Sequence, residues 1–64
     1  MYKNYIRKYR KEKGLTLKQL ASNVGITAGY LCHLEKGSRS NPSIEVMQKI
    51  AEELEKKVSD IFFL

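Results

Sequence analysis

Residues 15–37 read LTLKQLASNVGITAGYLCHLEKG, and two short helical patterns meet inside this stretch. Thr16 and Gln19 have the N-cap to N3 spacing of a capping box, and Leu15 and Leu20 flank them at the positions of a hydrophobic staple. Leu17, Leu20, Ala21 and Val24 then recur at i, i+3, i+4 and i+7 until Gly25, which predicts a helix of about two turns. After a turn of about three residues Thr27 is a second N-cap, with Ile26 and Leu31 forming another staple and Leu31 and Leu34 continuing inward to Gly37. Helices joined this closely bury both stripes only by crossing steeply, the geometry of a helix-turn-helix over about residues 16–36. Ala21 falls where the two approach closest.

Outside this pair the pattern stays helical. Tyr2, Ile6, Tyr9 and Lys13 are spaced as one face of a first helix from about Tyr2 to Lys13, and Gly14 suits its end. Ser38 to Pro42 is a polar loop, and Ser43 caps a fourth helix carrying Ile44, Met47, Ile50, Ala51 and Leu54. A short fifth helix begins near Val58. There is no strand-like alternation and no internal repeat, so residues 1–64 are expected to form one all-α, five-helix domain, near the lower size at which a chain folds alone.

Charge is divided unevenly. Residues 1–32 carry Lys3, Arg7, Lys8, Arg10, Lys11, Lys13 and Lys18 against Glu12 alone, whereas residues 33–64 carry five basic and six acidic residues. A pI near 9.5 with its excess in one half suggests a basic face for a polyanion. One cysteine permits no internal disulfide, which favours a reducing cytoplasm, and no apolar run approaches the roughly 20 residues of a membrane span. Cys32 and His33 adjoin, point about 100° apart on a helix and lack a second cluster of ligands, so no metal site is expected. The only His and the only Cys have no base-orienting partner, so no enzyme is expected either.

The segments RKEKGLTLKQLASNVGIT, GYLCHLEKG and NPSIEVMQKIAEEL resemble the phage repressor and Cro family of bacterial DNA-binding domains, also called XRE-type or lambda-repressor-like. The GYL and NPSI segments look closest to its SinR branch, and the likeness runs from Ile6 to about Phe62. It implies a compact five-helix DNA-binding domain whose helix from Thr27 enters the major groove, with Ala28, Gly29, Cys32 and His33 at base-reading positions. Small residues let that helix approach the bases, Ala28 meeting a thymine methyl and His33 supplying the polar reading group. Phosphate contacts are expected from Thr27, Tyr30, Lys36, Arg39, Ser40 and Asn41. Many family members place glutamine directly after the capping threonine to hold a phosphate. Here that position is Leu17, so backbone N–H groups and Lys18 take over the contact.

Arg10 lies four residues after Ile6 and Glu35 four after Leu31, each beside an inward face, so the two are expected to pair, as they do in similar proteins. Phe62, Phe63 and Leu64 are consecutive and would point in different directions on a helix, leaving apolar surface for a twofold partner. The expected function is a cytoplasmic, sequence-specific double-stranded DNA-binding regulator, a repressor, that acts without a cofactor as a homodimer on a palindromic operator and answers to a regulatory protein partner. The alternative is a protein-interaction module, antitoxin-like or co-regulatory, gripping its partner through Tyr30 and the C-terminal aromatics. A membrane-surface role for YKNYIRKYRKEKG is set aside, because its Ile6 and tyrosine stripe is better used as core.

Overall fold

Among the described residues of this computed structural model, 4–37 and 42–62, the chain forms α1 (Ile6–Glu12), α2 (Leu17–Val24), α3 (Ala28–Lys36), α4 (Ile44–Leu54) and α5 (Val58–Ile61). Local chemistry sets most of these limits. Thr16 Oγ1 accepts the Gln19 N–H at 3.0 Å while Gln19 Oε1 accepts the Thr16 N–H at 2.8 Å, closing the capping box that opens α2. Thr27 Oγ1 accepts the Tyr30 N–H at 3.1 Å and Ser43 Oγ the Val46 N–H at 3.2 Å, so α3 and α4 start on hydroxyl caps. Gly25 at φ 87° and Gly37 at φ 72° end α2 and α3 in the left-handed region, where glycine has no Cβ to clash.

Every helix contributes to one core. It contains Ile6, Leu20, Ala21, Val24, Leu31, Leu34, Met47, Ile50, Ala51, Leu54, Ile61 and Phe62. The α2 helix packs across both α3 and α4, and the buried Ala21 sits on its inner face. A larger side chain there would force the helices apart at a cost of about 1–3 kcal/mol.

Three expectations are corrected. The first helix starts at Ile6 and not near Tyr2, because Asn4 is held in an antiparallel bridge with Phe62 and its Oδ1 accepts the Ile6 N–H at 3.1 Å. Tyr2 itself lies outside the described residues. Ile44, placed in the α4 stripe by its spacing, is 70% exposed: the periodic pattern runs one turn further than the packing does. Phe62, counted among the chain-end residues available to a partner, is only 4% exposed. Its backbone has left the helix for extended geometry (φ −109°, ψ 132°), so helical directions no longer apply and both Ile61 and Phe62 turn inward. Phe63 and Leu64 lie outside the described residues.

Candidate nucleic-acid interface

The surface of interest is built around α3. Leu31 and Leu34 anchor one side of this helix in the core, and the helical period then puts Ala28 and Cys32 in one outer row and Gly29 and His33 in the next. Gly29 and His33 are exposed, whereas Ala28 and Cys32 are half-buried, Ala28 packing against the core. A Cβ built on Gly29 meets no atom within 4 Å, so the backbone there faces open space. Lys36 is exposed one turn beyond Cys32 and His33.

Two helix starts flank this face. The caps of α2 and α3 use the N–H groups of Gln19 and Tyr30, which leaves those of Leu17, Lys18, Ala28 and Gly29 without a bonding partner among the described residues. Such groups, with the positive end of the helix dipole behind them, suit an anionic oxygen. The Leu17 side chain is half-buried against the core, so this residue offers its N–H and Lys18 adds an exposed ammonium. Thr27 is exposed but its hydroxyl already caps α3, and Tyr30 is half-buried against the core. Arg39, Ser40 and Asn41 lie outside the described residues.

A shallow depression joins α1 to this face, lined by Arg7, Arg10, Leu17, Cys32, Glu35 and Lys36. Within it Arg10 Nε donates to Glu35 Oε2 at 2.6 Å and Nη2 to Oε1 at 3.2 Å, while Nη1 donates to the Leu15 carbonyl at 2.9 Å. The pair is largely covered, with side-chain exposures of 11% and 7%. Arg10 is therefore neutralised, and Arg7 and Lys36 are the depression's remaining basic groups. Sequence reading gave Arg7 no role. The signal was its place three residues before Arg10, on the same flank of α1. Lys8 lies elsewhere, with its Nζ 5.1 Å from the Tyr5 ring and 5.5 Å from the Tyr9 ring.

Comparison with known proteins bears on the fold that carries this surface. A helix-turn-helix family model matches residues 6–61. The chain is 39% identical over 57 residues to the HTH-type transcriptional regulator SlrR of Bacillus subtilis, covering 89% of this chain and 38% of the relative. It is 40% identical over 53 residues to the regulator SinR of the same organism, covering 83% and 48%. A crystal structure of SinR, the master regulator for biofilm formation, in complex with DNA superposes with a TM-score of 0.79 at 39% identity, covering 84% of this chain and 86% of that one. The chain thus spans between about two-fifths and half the length of these two relatives.

Proposed function

Since the chain belongs to the XRE-type helix-turn-helix family, we propose that it is a sequence-specific, double-stranded DNA-binding transcriptional regulator that sets the first turns of α3 in the major groove. The observation that carries this reading is the exposed Gly29 and His33 row, bracketed by the unbonded N–H groups of two helix starts and by Lys18, Lys36 and Arg7. Charge surrounds a face of small residues and one imidazole. That division matches the labour of DNA recognition, in which phosphate contacts orient the protein and base edges specify the sequence. The SinR structure in complex with DNA supports the same use of this fold.

The regulator acts as a repressor and binds as a homodimer on a palindromic operator, because a half-site read by one histidine and small residues carries little specificity until it is doubled. Phosphates are held by the backbone of Leu17 and by Lys18, Thr27, Tyr30 and Lys36, joined by Arg39, Ser40 and Asn41 from the segment that follows α3 in sequence. Phe63 and Leu64 contribute to pairing, without Phe62. A protein-gripping module is the weaker reading, since Tyr30 packs on the core and Phe62 is buried in it. Selection of bound fragments from random duplex DNA tests the proposal. Recovery of a symmetric motif is expected. A pool without enrichment contradicts sequence-specific binding, and enrichment of a single unpaired half-site contradicts the dimer.

A further inference from the structure

Arg10 bonds the last turn of α3 from outside the helix-turn-helix, and a second residue that the sequence does not single out does so too. The second is Asn4. Its Nδ2 donates to the Leu34 carbonyl at 2.7 Å, across 30 residues of sequence, while its Oδ1 accepts the Ile6 N–H at 3.1 Å. Leu34 is one of the last residues of α3, whose terminal carbonyls lack partners along the helix. Gly37 caps that carbonyl at 3.1 Å, and the Asn4 amide fills its second acceptor position. The next residue, Glu35, takes Arg10.

Asn4 cannot swing freely to follow α3. Its backbone is bridged to Phe62, and the neighbouring Tyr5 N–H donates to the Ile61 carbonyl at 2.8 Å, so the amide is fixed to α1 and to the end of α5 together. We propose that Asn4 is a positioning residue for DNA recognition, fixing the C-terminal turn of α3 and thereby the attitude at which Cys32 and His33 meet the bases. The helix is about 13 Å long at 1.5 Å per residue, and its front half is held by the short connection to α2 and by Ala28, Tyr30 and Leu31 packed on the core. Leu34 directly follows His33. Losing the Asn4 bond leaves the last turn to Arg10 and to the packing of Leu34, which loosens the attitude of the reading row while the phosphate-facing helix starts of α2 and α3 stay in place.

This inference rests on α3 being the DNA-reading helix, and the experiment separates the two ideas. Asn4→Asp keeps an acceptor for the Ile6 N–H but sets an acceptor against the Leu34 carbonyl, and Asn4→Ala removes both bonds. Affinities of wild type and both variants are measured for the selected operator and for random duplex, alongside amide hydrogen exchange of the free proteins. A lower folded fraction or an added charge weakens both DNAs alike, so the ratio of the two affinities reports positioning. In both variants that ratio is expected to fall by about fivefold or more, the loss that follows one misread base pair, and the Gly37 amide is expected to exchange faster than those of α2. An unchanged ratio in either variant overturns the role of Asn4. A wild type that prefers no sequence overturns the reading on which it rests.

Discussion

Arg10 and Glu35 meet through two hydrogen bonds, 2.6 and 3.2 Å long, that join α1 to the last turn of α3 beside the surface proposed to bind DNA. With both side chains largely covered, removing one partner strands the other in a poorly solvated site. Glu35→Gln is expected to cost about 3 kcal/mol, and replacing both residues by apolar ones of similar volume should recover part of that loss. Urea unfolding of the two single variants and the double variant measures the coupling. Strictly additive changes would mean that the pair contributes nothing as a pair.

Gly29 separates folding from function. Since its Cβ position is open, Gly29→Ala should leave the free protein as stable as wild type or raise its stability by up to about 1 kcal/mol, alanine being the better helix former. Operator affinity should nevertheless fall, because the added methyl occupies space through which the backbone approaches the bases. Calorimetry and binding measured on one preparation decide this. Equal operator affinity would remove Gly29 from the interface.

Much of this was legible in the chain because it is local. The capping box at Thr16, the caps at Thr27 and Ser43 and the glycine stops at Gly25 and Gly37 involve residues within four positions of each other. The Arg10 and Glu35 pair could be inferred across 25 residues only because each lies beside a clear apolar stripe. Asn4 left no such trace. Its bonds to Leu34 and Phe62 depend on tertiary placement, although an Asn two residues before Ile6 could have been read as a reason for α1 to start late. Ile44 shows the opposite failure, since periodicity cannot tell where the covering elements end.

Glu55 ends α4 in the left-handed region at φ 57°, a conformation disfavoured for a side chain with a Cβ, and pairs with Lys13 at 2.9 Å. Hydrogen bonding and attraction from Lys13 hold its carboxyl below the usual value of 4.5. A depressed folded-state pKa means stability that is present above pH 4.5 and is lost as pH falls through the lower folded value. Lys13→Ala should therefore raise the Glu55 pKa in a carboxyl-carbon NMR titration and shrink this acid-linked loss. Glu55→Gly should raise the thermal midpoint at neutral pH, since the surface pair is worth little and the backbone strain is removed. A lower midpoint would show that the pair outweighs the strain.

Arg7 and Lys36 are expected to act through phosphates. Affinity for any duplex should fall steeply with salt, and each single change to Ala should reduce the slope of log affinity against log salt by about 1. Binding titrations at several salt concentrations measure the slope. A variant with the wild-type slope would place its residue off the DNA backbone.

The outer face of α3 is proposed to read bases while the charges around it hold the DNA backbone. The most direct test is the affinity of wild type, His33→Ala and Lys36→Ala for the selected operator and for every single-base variant of one half-site. His33→Ala is expected to lose discrimination at one base position and keep it elsewhere, whereas Lys36→Ala is expected to weaken all sequences by the same factor. Uniform weakening by His33→Ala, with every base preference intact, would contradict base reading by α3.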